Sequence, residues 1–202
     1  MSRKRTPTED ILEAAFQALR EGNPEVLNMS RVASLVGISR QALYSHFAGR
    51  SELAIALLRY SDERLGLEEA LAPVRAARSG TELLDAFASF LSLYNPRVLD
   101  IARMGDQLRR TDASMDAAVR DRLENRRRGG RQMAQLLSTW GELDEAWTIK
   151  SAGVWLAAMS SPLVYGEQIF DYGVSVKRYR DSMAMMFRRT LLRPAMAGTK
   201  VT

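Results

Sequence analysis

Between Val32 and Leu43 the chain reads Val-Ala-Ser-Leu-Val-Gly-Ile-Ser-Arg-Gln-Ala-Leu, and few local folds accommodate that spacing. Ala33 is a small residue of the kind required where two helices cross closely. Four residues later, Gly37 is suited to the left-handed backbone that ends a helix and opens a tight turn. Val32, Val36, Ile38 and Leu43 then form an apolar wedge that sets the angle between the helices, leaving the polar residues of the second helix facing outward. This pattern predicts a helix-turn-helix between Asn28 and Phe47. A plain helical hairpin inside a bundle produces the same Ala–Gly–Ile spacing, so the segment alone leaves both readings open.

The flanking sequence is helical throughout. Thr6-Pro7-Thr8-Glu9 has the form of a capping box with proline at the first helical position, and Glu9 and Asp10 suit the first turn of a helix. Ile11, Ala15 and Leu19, widened by Leu12 and Phe16, make the apolar stripe of that helix, and Gly22-Asn23-Pro24 ends it. A short helix follows to Val36, capped by Asn28 or Ser30, and Ser39 caps another over Arg40 to His46. A longer helix starts near Ser51. Beyond it the periodicity predicts helices over Ser79–Tyr94, Arg97–Arg109, Asp112–Trp140, Glu142–Gln168 and Val174–Arg193. The adjacent Gly129 and Gly130 predict a break or kink in the third of these, since each glycine costs a helix about 1 kcal/mol relative to alanine. The expectation is an all-α chain of about nine helices: a small N-terminal module with the helix-turn-helix over residues 1–50, a larger helical body over 51–194, and a loose tail over 195–202.

Charge sharpens the reading. The 202 residues carry a net charge of +5, which favours polyanionic partners. From Asn28 to Ser51 there are Arg31, Arg40 and Arg50 and no acid, and Arg3, Lys4 and Arg5 form a basic arm ahead of the first helix. Cysteine is absent and His46 is the one histidine, so disulfides, thiolate metal sites and paired-histidine chemistry are excluded. No catalytic residue, metal ligand or cofactor is expected, and the chain is read as a non-enzyme. Met1 to Asp10 is polar, unlike a secretory signal. The longest apolar stretch, Ala152 to Tyr165, is interrupted by Ser160-Ser161-Pro162 and is shorter than the roughly 20 residues that span a bilayer. A cytoplasmic protein without membrane contact is expected.

The residues after the turn narrow the choice. Leu43-Tyr44-Ser45-His46-Phe47 and Arg50-Ser51-Glu52-Leu53, with Ile11, Ala14-Ala15, Phe16 and Gly22 before them and Val32-Ala33 ahead of Gly37-Ile38-Ser39, closely resemble the signature of the TetR family of bacterial repressors. The resemblance covers about Thr8 to Leu53. It departs at Asn28-Met29-Ser30, where the family usually has threonine, and at Arg50, where lysine is common and the donor geometry therefore differs.

The resemblance implies a second helix that enters the major groove N-terminus first. Arg40 and Gln41 are then the base readers, arginine suited to guanine and glutamine to adenine, and Ala42 either meets a thymine methyl or serves as a small spacer. Tyr44 and His46 match positions that touch the DNA backbone, and Arg50 matches the lysine that reaches a phosphate. Ser30 and Ser39 are cap candidates that can also bond phosphate. The arm Arg3, Lys4 and Arg5 is read either as a solubilising tail or as a phosphate or minor-groove contact.

The resemblance makes residues 1–50 the DNA-binding domain and 51–194 a regulatory and dimerisation domain, and it implies a homodimer on a palindromic operator. Its interface is expected on the last two helices, at Trp155, Met159, Val176, Tyr179, Met183 and Phe187, where the same stripes also suit an ordinary core. The resemblance also implies a cavity for a small effector, apolar or aromatic in character, with Phe87, Phe90, Tyr94, Met104, Met133 and Trp147 as candidate lining; the same residues also suit a filled core. The expected function is a repressor that the effector releases from its operator. A regulator with no small-molecule effector, tuned by a protein partner or by its own abundance, fits the sequence as well.

Overall fold

A computed structural model describes residues 6–21, 28–64 and 66–194. The arm Arg3–Arg5, the Gly22-Asn23-Pro24 stop and the tail 195–202 lie outside the described residues. Every regular element among the described residues is helical: α1 (Pro7–Arg20), α2 (Met29–Val36), α3 (Arg40–His46), α4 (Arg50–Arg64), α5 (Leu67–Ala70), α6 (Ala72–Ala76), α7 (Gly80–Leu108), α8 (Ala113–Thr139), α9 (Ile149–Met159), α10 (Pro162–Gly166) and α11 (Val176–Leu191). A π-helical turn, Glu167–Asp171, follows α10.

By its packing the chain forms two compact units. The first comprises Met1–Leu67 and Arg97–Arg122, the second Glu68–Pro96 and Leu123–Thr202. This grouping is one of contacts, a different quantity from the functional boundary drawn at residue 50.

The first unit closes on one apolar core. The α1 stripe, Ile11, Leu12, Ala15, Phe16 and Leu19, meets Val32 and Ala33 of α2, Leu43 of α3, Phe47, and Leu53, Leu57 and Leu58 of α4. Ile101, Met104 and Leu108 of α7 and Met115 of α8 belong to the same core. At the start of α1 the capping box is complete: Thr6 Oγ1 accepts from the Glu9 amide at 3.2 Å, and Glu9 Oε2 accepts from the Thr6 amide at 2.7 Å.

The second unit has an aromatic interior. Phe87 and Phe90 stack on α7, as do Phe90 and Tyr94, while Phe187 of α11 packs against Phe87 and against Trp155 of α9. Tyr165 and Tyr179 meet edge to face at 5.0 Å. Asn95 Nδ2 reaches the Tyr179 hydroxyl at 3.5 Å, and burial pushes the Tyr179 phenol up to about 12. The end of α11 is tied back by Arg193 N donating to Glu142 O at 2.9 Å and Asp144 N donating to Leu191 O at 2.8 Å.

Three boundaries differ from expectation. Ser79–Tyr94 and Arg97–Arg109 are one helix, α7, with Pro96 inside it. The proline removes a single donor, the N–H that would serve the Ser92 carbonyl. Buried Leu91, Tyr94 and Asn95 before it, and Val98, Leu99 and Ile101 after it, hold the helix on both sides. Nor does Gly129-Gly130 break α8. A side chain on Gly130 would collide with the carbonyl oxygen of Gly153, and a Cβ on Gly153 would lie 2.8 Å from Arg131 Cα. Gly130 and Gly153 thus let α8 and α9 pack backbone to backbone. Glu142–Gln168, in turn, is divided. Gly141 adopts φ 73°, Thr148 caps α9 with Ser151 completing a capping box, and Ser161-Pro162 ends α9 and starts α10 because Pro162 has no N–H to continue the ladder.

Candidate nucleic-acid interface

The turn between α2 and α3 is built as the residue pattern requires. Gly37 sits at φ 74° and donates to Ser34 O, and Ile38 N donates to Ala33 O at 3.0 Å. Asn28, rather than Ser30, caps α2: its Oδ1 accepts from the Ser30 amide at 2.9 Å. Ser39 caps α3 by accepting from the Ala42 amide at 3.1 Å. Val32 and Ala33 are buried, while Val36 and Ile38 are half-buried against the core.

The seven residues of α3 then divide into two faces. Leu43 is fully buried and Phe47, just past the helix, is 3% exposed. Arg40 and Gln41 are exposed, Tyr44 is 45% exposed, and Ala42 is half-buried beside them. The N-terminus of α3, with two long donor-bearing side chains, is therefore presented outward. Its size and chemistry suit the floor of a major groove.

His46 makes a contact between helices. Its Nδ1 lies 3.0 Å from Thr8 Oγ1, joining the last turn of α3 to the first turn of α1. Arg50 is exposed at the first position of α4. The turn that leads to it is fixed by Glu52, whose Oε2 accepts from the Ala48 amide at 2.6 Å. Sequence reasoning missed the Thr8–His46 bond, as well as the bonds from Ser51 to Asp112 and from Arg122 to Asp62. The partners lie 38 to 61 residues apart, and no local pattern links them.

The other candidate residues fall in different places. Phe87, Phe90 and Tyr94 form one stacked run. Trp147 packs at a tilt against Trp155 and donates its indole N–H to Thr190 O at 2.7 Å. Met133 is buried. Met104 packs instead into the core of the first unit with Ile101 and Leu108, so it does not join the aromatic run. Of the residues assigned to a dimer interface, Tyr179, Met183 and Phe187 are buried inside the protomer's own second unit, at 2% exposure or less. The three- and four-residue stripe of α11 faces inward, and these three offer no surface to a second copy. Trp155 and Met159 are half-buried, and Val176 remains exposed. Among the described residues no group of three acidic or histidine side chains is placed to hold a metal ion, and no helix is long and apolar enough to cross a membrane.

Residues 11–57 match the model of the family described as bacterial regulatory proteins, tetR family. No curated protein matches the chain by sequence. Among solved structures, a presumed transcriptional regulator from Saccharomonospora viridis in complex with choline is similar at TM-score 0.76 and 14% identity, over 93% of this chain and 98% of that one. A TetR transcription regulator from Haloarcula marismortui is similar at TM-score 0.72 and 17% identity, over 92% and 98%. The ketosteroid transcriptional regulator KstR2 of Mycobacterium tuberculosis is similar at TM-score 0.61 and 14% identity, over 95% and 98%. At such identities the structures speak for the fold, and the family match speaks for the helix-turn-helix module. Residues 11–57 thus carry the DNA-binding module of the tetR family of bacterial regulatory proteins, and the chain has the fold of the TetR regulators to which it is similar.

Proposed function

We propose that the protein is a repressor that binds a palindromic operator as a homodimer and leaves it when a small effector binds. The observation that carries the DNA-reading part is the division of α3: Leu43 is fully buried, while Arg40, Gln41 and Tyr44 stand outward. Arg40 and Gln41 read base edges, with Ala42 close enough to the same surface to meet a thymine methyl. Tyr44, Arg50 and the remaining nitrogen of His46 contact phosphates, helped by Ser30 and Ser39 at the helix starts. One such helix reads few base pairs, which favours two protomers on a symmetric site.

Dimerisation is supported by apolar side chains left uncovered on α9 to α11. Val154, Leu163, Val176 and Met185 are each more than a third exposed, a surface suited to self-association. An effector is supported by the aromatic interior around Phe87, Phe90 and Tyr94 and by the similar structures: one is in complex with choline and another is named for ketosteroids. Selection of bound fragments from random duplex DNA tests the reading. It should return an inverted repeat, and thermal-shift hits from a library of apolar and aromatic compounds should weaken binding to it. Recovery of a single half-site, or of no common sequence, would overturn it.

A further inference from the structure

The start of α8 grips α4 at two points. In the first turn of α4, Ser51 donates its hydroxyl to Asp112 Oδ2 at 2.5 Å. In the last turn, Asp62 accepts from both terminal nitrogens of Arg122, each at 2.8 Å, and Arg122 also reaches the Leu58 carbonyl at 3.4 Å. Partner numbers rise together, 51 with 112 and 62 with 122. The two segments therefore run side by side in the same direction for about 15 Å, at 1.5 Å per helical residue. Met115 and Val119, between the two points, pack into the core that holds Leu53, Leu57 and Leu58.

Asp112 does two jobs at once. While one carboxylate oxygen holds Ser51, the other accepts from the Met115 amide at 2.8 Å and caps α8. A single side chain thus joins the start of α8 to the first turn of α4, where backbone N–H groups lack helical partners and a helix frays most readily. Arg50, the exposed residue assigned above to a phosphate, is the immediate neighbour of Ser51.

We propose that Asp112 is a positioning residue for DNA binding: through Ser51 it holds the first turn of α4, and so sets where Arg50 meets the phosphate. The proposal rests on the DNA-binding reading. It differs from two simpler roles for these residues, Asp112 acting only as the cap of α8 and Ser51 bonding a phosphate directly.

Ser51→Ala breaks the link and leaves the α8 cap in place. Asp112→Ser breaks the link and keeps a capping hydroxyl. Affinity for a duplex selected by the wild-type full-length protein is measured across salt concentrations for each variant, for the double variant, and for each in an Arg50→Ala background. Each single variant should weaken binding about three- to tenfold and flatten the salt dependence, as losing a phosphate contact does. The double variant should be no worse than either single one, and neither substitution should matter once Arg50 is alanine. Unchanged or tighter binding by Asp112→Ser beside weaker binding by Ser51→Ala would assign the phosphate to Ser51 itself and overturn the proposal. So would effects that add to Arg50→Ala, or an unaltered salt slope. If the wild-type protein selects no duplex, the DNA-binding reading falls and takes this one with it; if it selects one and the variants match it, only this one falls.

Discussion

Thr8 and His46 face each other at 3.0 Å, hydroxyl oxygen to ring Nδ1, so the first turn of α1 and the last turn of α3 are tied by one side-chain bond. The bond orients the imidazole and leaves its other nitrogen for a second partner. Thr8→Val keeps the shape and removes the bond. It should lower unfolding stability by about 0.5–1.5 kcal/mol in a denaturant titration, and weaken binding to DNA of every sequence alike, because a phosphate contact carries no base information. Loss of affinity confined to one sequence would contradict the assignment of His46.

Arg40→Ala should cost about 1–3 kcal/mol of binding and relax preference at a single base position in each half-site. Arg50→Ala should instead weaken binding uniformly and reduce the salt slope. Repeating the sequence selection with each variant separates the two roles.

The paired glycines of α8 should respond in opposite directions. Gly129 has open space around its α-carbon, whereas Gly130 abuts the Gly153 backbone. Gly129→Ala should stabilise the protein by about 1 kcal/mol through helix propensity alone. Gly130→Ala should destabilise it by about 1–3 kcal/mol, because the α8–α9 contact has to open. Thermal unfolding of the two variants checks the sign of each.

Acid should loosen the grip of α8. The Ser51 hydroxyl holds the Asp112 carboxyl below the ordinary value of 3.8, and hydrogen bonds from Arg120 and Arg109 do the same for Asp116. Each folded-state value lies under the unfolded one. The stability these groups contribute is therefore present in full above the unfolded value and disappears as pH falls through the folded one. Unfolding stability should decline below about pH 4, and Ser51→Ala should flatten that decline. A decline of the same steepness in that variant would contradict the role given to the Ser51–Asp112 bond.

The helix-turn-helix was legible because its determinants are local. Gly37 must accept a positive φ, Ser39 must cap α3, and Ala33 must be small, and each requirement falls within a few residues of the next. Pro96 and Gly130 misled because their effect is decided by distant partners: buried neighbours on both sides carry α7 past Pro96, and Gly153 explains the second glycine of α8. The α11 stripe was read correctly as apolar and wrongly as an outer surface at Tyr179, Met183 and Phe187. Periodicity reports that a face is covered, not whether the cover is the chain itself or a second copy. The polar ties from Thr8 to His46 and from Ser51 to Asp112 join residues with no sequence relation, and they became visible only in the fold.

The central claim is that Arg40, Gln41 and Tyr44 present a surface that reads duplex DNA. Its most direct test is the affinity of the full-length protein for a selected duplex, titrated over salt and compared with Arg40→Ala and Gln41→Ala. The account predicts that log affinity falls linearly with log salt concentration, with each substitution erasing preference at its own base position. Binding without salt dependence, or sequence preference untouched by both substitutions, would contradict it.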